Sequence, residues 1–370
     1  MEIRYSLNRI TVLLFFFCMN FSSVIGFSQL GTDSTSKQMQ LGLIGVSATC
    51  LMINCINFKK VKITSILLII TLLIIAILSF NFTSNLAVFR MVLFLTIAQG
   101  LSVQKILLYN NYTLFFFFCI IILSSFIGIT DMNYYGNINK LYSFGFQNPN
   151  TPPVIAFTLI TGYNLLKNKK LKKKEIFLEM AISFFIYYLF QNRTALIVLL
   201  LYLIVLIIAN CASQSIWFKW VMKPFQYLFF IGTVLTCYVA FYFNPIDSNW
   251  YDWNILLSGR LALWQNFLYT YGISIFGTSS TNVIDPLDNA YLYLLIFDGI
   301  LMLIFFNGIF LYLSRFAYKC KNWGLFLAVI AYELYCFSES APLSFNLCSV
   351  LLVFSWLVMN TRESRRFNDT

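Results

Sequence analysis

Two arginines are flanked by apolar residues, where a charged side chain is energetically costly unless it has a polar or anionic partner. Arg193 lies in a four-residue polar island, QNRT, between two apolar runs, and Arg260 lies in the stretch SGRLALWQN. A guanidinium near the hydrocarbon boundary of a membrane costs up to about 3 kcal/mol when it cannot reach water. Its planar fork makes two-point contacts with phosphate and carboxylate groups. The position of Arg193 therefore predicts an anionic partner, and Arg260 is a second candidate for binding phosphate.

Carboxylates supply the complementary chemistry. The stretch DPLDNAYLYLL contains Asp285 and Asp288, and Glu339 follows an apolar run further along the chain. A carboxylate within hydrogen-bond reach of a hydroxyl can accept its proton. Two other interpretations of the aspartates stay open: the pair could bind a divalent cation, or Asp288 could cap a helix. Asp298 and Glu333 fall inside apolar runs, where a carboxylate is by default a functional candidate, although the glycine after Asp298 also suits a helix break.

Aromatic side chains are frequent near these polar residues. They are Tyr134, Tyr135, Tyr142, Trp250, Tyr251, Trp253, Trp264 and Tyr269. Aromatic faces stack on sugar rings, arginines bind phosphate, and carboxylates accept protons from hydroxyls. The three residue types together predict a phosphate-bearing lipid and a carbohydrate as ligands.

The absence of histidine excludes several kinds of site. Among the 370 residues there is no histidine, so Ser-His and Cys-His pairs and histidine-ligated zinc are ruled out. The nine cysteines have no CxxC spacing, and we expect neither a metal site nor a cofactor. The formal net charge is +11, but in a membrane protein the positions of the charges matter more than their sum, and no nucleic-acid partner is predicted.

The elements that position these residues are apolar helices. Hydrophobic residues make up 59% of the chain and charged residues 11%, which indicates a polytopic membrane protein. The apolar runs are long and continuous, whereas a β-barrel would show short alternating segments, so the predicted fold class is an all-α polytopic integral membrane protein. It forms a single polytopic domain over residues 1–370 with about twelve spans. The spans are predicted near 10–30, 39–57, 63–80, 86–104, 113–130, 151–167, 176–190, 194–211, 224–243, 290–312, 323–339 and 343–359.

Basic residues collect at alternate ends of these spans. Of the 25 lysines and arginines, 20 fall on one side, which the positive-inside rule assigns to the cytoplasm together with both termini. The other five, on the outer half, are Lys37, Arg90, Lys140, Arg193 and Arg260. The first apolar segment also fits a cleaved signal peptide, but the charge alternation favours its retention as a span.

Two external loops are long enough to suggest function. One covers residues 131–152 and the other residues 244–289. In the second loop, Leu261, Trp264, Phe267 and Leu268 recur at helical spacing, which predicts an amphipathic helix with Ser258 as its N-cap. The helix is expected to lie on the membrane surface or to cap a cavity; a helix packed within the loop, with an incidental Arg260, is the alternative.

Four motifs resemble those of Wzy-type polymerases of bacterial O-antigen, capsule and exopolysaccharide. They are SFGFQNPN before the sixth span, QNRTALIVLLL at the eighth, SGRLALWQN in the long loop and DNAYLYLLIFDGILMLIFF at the tenth. The resemblance covers roughly residues 130 to 345. It implies a glycosyltransferase of the cytoplasmic membrane, glycosyltransferase-C-like in architecture, whose active face is extracytoplasmic. Such an enzyme transfers the growing glycan from undecaprenyl pyrophosphate onto a lipid-linked repeat unit with inversion, and it uses no cofactor.

The resemblance also implies roles for particular residues. Pyrophosphate binding falls to Arg193 and Arg260, with Arg90 as a weaker third, and catalysis to Asp288 and Glu339 jointly. Sugar binding falls to Asn148, Asn150, Trp264, Asn289 and Tyr291, with shaping of the loop as the alternative role of the three asparagines. Two features depart from the family: Arg193 lacks the downstream glycine that Arg260 has in Gly272, and Asp298 stands where an uncharged or basic residue is usual.

The expected partners are the undecaprenyl-pyrophosphate-linked oligosaccharide, as donor and acceptor, and membrane lipid. A chain-length regulator of the same pathway is a further candidate. An O-antigen-ligase-like transferase is one alternative function, but the missing histidine favours a polymerase. A lipid-linked oligosaccharide flippase or secondary transporter is the other. Against it stand the absence of an internal repeat, the absence of an interrupted pair of spans and the position of the charges at the outer boundary.

Overall fold

The computed structural model describes residues 2–31, 34–54, 63–83, 86–134, 141–167, 172–279 and 287–360. Nearly all regular structure in these ranges is helical. The helices are α1 (Glu2–Phe27), α2 (Ser34–Asn54), α3 (Ile63–Thr83), α4 (Ala87–Ile97), α5 (Val103–Phe126), α6 (Thr151–Lys167), α7 (Lys173–Phe190), α8 (Arg193–Ala212), α9 (Ile216–Met222), α10 (Leu228–Tyr242), α11 (Ser248–Leu256), α12 (Arg260–Tyr271), α13 (Ala290–Tyr293), α14 (Ile300–Lys319), α15 (Trp323–Tyr335) and α16 (Ser349–Met359).

Within these ranges, six helices are long and apolar enough to cross a membrane. They cover Arg9–Phe27, Ile63–Thr83, Val103–Phe126, Arg193–Ala212, Ile216–Tyr242 and Ile300–Lys319. This agrees with a polytopic membrane protein, while the number of twelve spans stays a prediction. Four predicted spans correspond to shorter apolar helices, Gln38–Ile53, Ala87–Ile97, Trp323–Tyr335 and Ser349–Met359.

The chain divides into two compact units. The first contains Met1–Thr71, Phe89–Leu203 and Ser344–Thr370, and the second contains Leu72–Val88 and Ile204–Leu343. Each unit is discontinuous in sequence, so neither could be read from a change in composition along the chain.

A buried amide network ties the first unit together. The Asn20 side chain on α1 donates to Thr113 Oγ1 at 2.7 Å and to Asn110 Oδ1 at 3.2 Å, both on α5. Asn346 Nδ2 donates to Asn20 Oδ1 at 3.0 Å, and Asn110 Nδ2 donates to the Asn346 carbonyl at 3.0 Å. Polar side chains in an apolar core must satisfy one another, so this network fixes α1 and α5 against the turn that precedes α16.

The predicted external loop 131–152 is folded against the end of α1. Strands β1 (Asn133–Tyr134) and β2 (Leu141–Tyr142) pair antiparallel, with Asn133 opposite Tyr142. The Gln29 amide nitrogen of the backbone donates to the Gly145 carbonyl at 2.9 Å, and the Asp131 N–H donates to Gln29 Oε1 at 2.7 Å. The loop therefore has a defined conformation on both sides of residues 135–140.

The predicted tenth span, 290–312, is wrong as one continuous helix. After α13 the chain makes a π-helical turn, Leu294–Asp298, and then breaks at Gly299, whose φ is 90°. A Cβ at Gly299 would clash with the Ile275 carbonyl oxygen, because the backbone of residues 275–277 runs alongside the break. The Thr278 N–H donates to the Ile296 carbonyl at 3.0 Å, and the Ile300 N–H donates to the Ser274 carbonyl at 3.0 Å. The spanning helix of this region is α14.

The long loop 244–289 contains two helices, α11 and α12. The four apolar positions predicted to share one face of α12 are all buried, and α12 packs against α10 and the π-helical turn of the same unit. The apolar face of α12 is therefore packed within this unit, while the position of the helix relative to the membrane surface stays a prediction. Ser258 is not the N-cap: Ser258 and Gly259 both have positive φ, of 58° and 81°, so the helix is entered through a left-handed turn with Gly259 at the cap position.

Candidate functional site

Arg260 is placed by the turn that begins α12 in the second unit. It is the first residue of the helix and is half-buried. The Ala262 N–H donates to Asn254 Oδ1 at 3.1 Å, so an amide from α11 caps the helix in place of the serine that the sequence suggested. Trp264 lies one turn further on the same face, buried, and its indole N–H has no hydrogen-bond partner in the described part of the chain.

Asp288 lies just before α13 and interacts electrostatically with Arg260. Burial raises the pKa of Asp288 from 3.8 to about 6, and the Arg260 guanidinium opposes this by lowering it. Among the residues described, Asp288 and Arg260 form no ion pair within 4.0 Å. The guanidinium therefore acts on the pKa of the carboxylate without pairing directly with it.

Asn289, not Asp288, caps α13. Its Oδ1 accepts from the Leu292 N–H at 2.9 Å, and its Nδ2 donates to the Phe337 carbonyl at 3.1 Å. The Ala290 N–H also donates to the Cys336 carbonyl at 2.9 Å. These bonds hold the start of α13, and with it Asp288, beside the end of α15. Asn289 therefore shapes the loop, one of the two roles expected of it.

Tyr291 has contacts of a packing residue. It is fully buried, its hydroxyl donates to the Glu333 carbonyl at 2.7 Å, and its ring lies between Phe229 and Phe337 at centroid distances of 4.8 and 5.0 Å. A Cβ at Gly232 would meet the Tyr291 hydroxyl at 2.6 Å, so α10 depends on that glycine here. We leave Tyr291 out of the proposed sugar-binding residues.

Glu339 follows α15, in the non-helical stretch before a 3₁₀ turn at Ala341–Leu343. It is buried, with 3% of its surface accessible, and its N–H donates to the Tyr335 carbonyl at 3.1 Å. The phenol of Tyr335 is fully buried and interacts electrostatically with Glu339, Arg260 and Asp288. Tyr335 was missed in the sequence, where its only signal is a position four residues before Glu339.

The structure thus brings together three of the predicted residues and adds one. Arg260, Asp288, Tyr335 and Glu339 form what we call the Arg260 cluster, contributed by the start of α12, the approach to α13 and the end of α15. The cluster combines one guanidinium with two carboxylates; Tyr335 and Glu339 are buried, and Arg260 and Asp288 are half-buried. Asp285, the other half of the DPLD motif, lies outside the described residues.

Arg193 belongs to the first unit and begins α8. It is exposed, and it follows Gln191, whose φ is 53°. Asn192 caps the helix by accepting from the Ala195 N–H at 2.8 Å, and its Nδ2 donates to Asn150 Oδ1 at 3.0 Å. The Asn150 N–H in turn donates to Asn148 Oδ1 at 2.8 Å. The predicted residues Asn148 and Asn150 therefore lie next to the turn that carries Arg193. We call Asn148, Asn150, Asn192 and Arg193 together the Arg193 turn.

Arg90 is engaged within the first unit. It is half-buried on α4, and its Nη2 donates to Ser22 Oγ on α1 at 3.2 Å and to Gln40 Oε1 on α2 at 3.3 Å. Linking three helices is sufficient reason for an arginine at this position. Its assignment to pyrophosphate stays a prediction without support from these contacts.

Other acidic side chains are buried outside the cluster. Asp298 ends the π-helical turn, and Glu333 on α15 is fully buried and accepts from Ser314 Oγ at 3.4 Å. In the parts of the chain that the structure describes, no three His, Cys, Asp or Glu side chains come together in a way that could hold a metal ion.

Comparisons with protein-family models, curated proteins and solved structures gave no match. Fold and site together define a helical protein with several candidate membrane spans and a buried cluster of one guanidinium, a phenol and two carboxylates.

Proposed function

We propose that this chain is a polysaccharide polymerase of the bacterial cytoplasmic membrane. It transfers a growing glycan from undecaprenyl pyrophosphate onto a lipid-linked repeat unit, inverting the anomeric centre. The single observation that supports this most is the Arg260 cluster, because it places a phosphate-binding cation and two potential bases in one partly dehydrated site. The order and type of the sequence motifs point the same way.

In the proposed reaction, a hydroxyl of the acceptor sugar attacks the anomeric carbon of the donor glycan. Its proton passes to Asp288, and the bond from the anomeric carbon to the phosphate oxygen breaks. The electron pair leaves with undecaprenyl pyrophosphate, whose developing charge Arg260 stabilises. Preorganised donors in a water-poor site stabilise such charge more strongly than water does.

Asp288 suits the role of base because of its environment. With a pKa of about 6 it is mostly ionised at neutral pH, and it is still basic enough to accept a proton in the transition state. Glu339 is the second carboxylate of the cluster, and Tyr335 lies within electrostatic reach of both. We assign the base function to Asp288 and Glu339 jointly, with Asp288 as the direct acceptor.

In the first unit, Arg193 is proposed to bind the diphosphate of a lipid-linked oligosaccharide. The N-terminus of α8 carries the positive end of the helix dipole, and the exposed guanidinium adds a full positive charge there. Asn148 and Asn150, in the same turn, offer amide groups for sugar hydroxyls. In the second unit, the unpaired indole N–H of Trp264 is a further donor for a sugar.

The proposal includes an orientation. In it, both termini lie in the cytoplasm and the loops 131–152 and 244–289 are external. The proposed protein crosses the membrane twelve times and has a glycosyltransferase-C-like architecture. The donor and acceptor are both lipid-linked oligosaccharides, so neither a nucleotide sugar nor a cofactor is needed. A chain-length regulator of the same pathway is a proposed protein partner.

The proposal is tested in a deletion strain complemented with the wild-type chain or a variant. Polymer is resolved on gels, and lipid-linked oligosaccharides are extracted and sized. Wild type restores a ladder, whereas Arg260→Ala leaves one repeat unit on the lipid, exposed on the outer leaflet. A normal ladder with Arg260→Ala would contradict the assignment. An O-antigen-ligase-like function predicts a different result, with full-length polymer retained on the lipid carrier.

A flippase or secondary transporter is the second candidate, and one observation favours it. The break between the π-helical turn and α14, beside the buried Asp298, resembles the interrupted helices that line transport sites. In that case the single repeat unit of the deletion strain would stay on the inner leaflet, inaccessible to an externally added glycosidase.

A further inference from the structure

An apolar groove runs between α5 and α6 in the first unit, apart from the residues discussed above. Its volume is about 480 Å³. The side chains that define it are Leu108, Tyr112 and Phe115 from α5 and Leu159, Tyr163 and Lys167 from α6. Positions 108, 112 and 115 recur at helical spacing, so they form one continuous face of α5. Tyr112 and Phe115 are 65% and 55% exposed, which leaves the groove open along its length.

One end of this groove is positively charged. Lys167, the last residue of α6, lies over the Tyr163 ring with its Nζ 5.1 Å from the centroid, and it also pairs with Glu175. Two further lysines, Lys172 and Lys174, stand at the start of α7, and their side chains are exposed. Glu175 offsets only one of these three positive charges.

We propose that the groove holds an acyl chain of an anionic phospholipid, with the phosphate of the headgroup at the lysine end. Hydrocarbon suits the apolar wall, and lysines near a membrane surface attract anionic lipids by about 1 kcal/mol each. The stretch of α5 from Leu108 to Phe115 rises only about 10 Å, which fits part of one acyl chain and is short for a long polyprenyl chain. The lysines therefore favour an anionic headgroup, and the length of the groove favours an acyl chain over a polyprenyl chain.

The pair Lys167 and Glu175 gives this proposal an unusual test. Lys167→Gln removes a positive charge and leaves the Glu175 carboxylate at the headgroup position, so binding of anionic lipid should weaken. Glu175→Gln removes the competing carboxylate and frees Lys167, so binding should strengthen. Structural damage from breaking the pair would weaken binding in both variants, whereas electrostatic selection predicts opposite signs.

The experiment is native mass spectrometry of the full-length protein in mild detergent. Phosphatidylglycerol and phosphatidylethanolamine with matched acyl chains are added separately, and the lipid-bound fraction is measured. We expect the wild-type protein to retain more phosphatidylglycerol than phosphatidylethanolamine. The ratio of the two bound fractions should fall about five-fold in Lys167→Gln and rise about five-fold in Glu175→Gln. Leu159→Trp, which fills the groove, should abolish retention, whereas Ile197→Trp, at a 56% exposed position on α8, should not change it.

Three results would overturn the proposal. One is equal retention of the two lipids by the wild-type protein, and another is a shift of the same sign in the two charge variants. The third is retention of added undecaprenyl phosphate in preference to phosphatidylglycerol, because it would show that the groove binds a polyprenyl lipid instead.

Discussion

Two arginines begin helices in closely similar ways in the two units of this protein. Arg193 and Arg260 each occupy the first helical position, and each helix is capped by an asparagine side chain. A residue with positive φ stands two positions before Arg193 and directly before Arg260. A cation at a helix N-terminus opposes the helix dipole by about 0.3–1 kcal/mol. The local design therefore carries a cost at both places unless an anion is bound.

The surroundings of the two arginines differ. Arg193 is exposed, and the neighbours of its turn are amides, whereas Arg260 is half-buried and acts on the pKa of Asp288. Water and salt screen an exposed charge much more than a buried one. The difference suggests that Arg193 captures the lipid-linked diphosphate, while Arg260 stabilises the charge that develops during the reaction.

The largest expected effect on activity comes from replacing Asp288, the carboxylate that interacts with Arg260. Asp288→Asn should lower the turnover number by about 10²- to 10⁴-fold, because the direct acceptor of the hydroxyl proton is lost. The pKa of Asp288 is higher in the folded than in the unfolded state. Ionisation of Asp288 therefore lowers the free energy of unfolding as pH rises from about 4 to about 6. The neutral variant should accordingly keep or increase its thermal stability at pH 7. A variant that is inactive because it is unfolded in detergent would leave Asp288 without its assigned role.

The two arginines themselves should differ in the kinetic parameter they affect. Arg260→Ala should lower the turnover number by about 10²- to 10³-fold, as loss of a preorganised donor does. Arg193→Ala should mainly raise KM for the lipid-linked substrate. This rise in KM should become smaller when salt is increased from about 0.05 to about 0.5 M, because the electrostatic screening length then shortens roughly three-fold. Arg260→Lys is the matched control that keeps the charge without the fork. Equal effects of the two alanine variants on turnover would remove the distinction between capture and catalysis.

The smallest effect concerns the asparagine caps. Asn192→Ala and Asn254→Ala should each lower the free energy of unfolding by about 1 kcal/mol, because each leaves a helix N–H without its acceptor. Asn192→Ala should cost more, since it also loses the bond to Asn150. Thermal unfolding in detergent measures this, with Asn266→Ala, at an exposed position within α12, as the control. A control as destabilised as the cap variants would show that capping is not the cause.

Helices and buried faces could be predicted because they depend on periodicity. The four apolar positions of α12 were identified from spacing alone, and all four are buried. The break at Gly299 depends on a tertiary contact, the approach of Ile275 and Gly277 to the backbone of the π-helical turn. The dipeptide Asp298-Gly299 hinted at it, but the apolar run on both sides argued for one span.

The site could be predicted only in part for the same reason. Arg260, Asp288 and Glu339 stand out as charges in apolar sequence, whereas Tyr335 is an ordinary aromatic residue of a helix until the fold places it among them. Asn289 and Tyr291 share a motif with Asp288, yet their side chains bond to backbone carbonyls of the α15 region. Proximity in sequence therefore exaggerated their part in chemistry.

The coupling of Arg260 to Asp288 is tested most directly by the pH dependence of polymerisation. Purified protein is given the lipid-linked repeat unit extracted from the deletion strain, and kcat/KM is followed from pH 5 to 8. Activity should fall below an apparent pKa of about 6, as Asp288 becomes protonated. Because Arg260 lowers this pKa, Arg260→Gln should move the fall to higher pH, and Arg193→Gln should leave it in place. An acid limb that stays where it was in Arg260→Gln, or that moves in Arg193→Gln, would contradict the account.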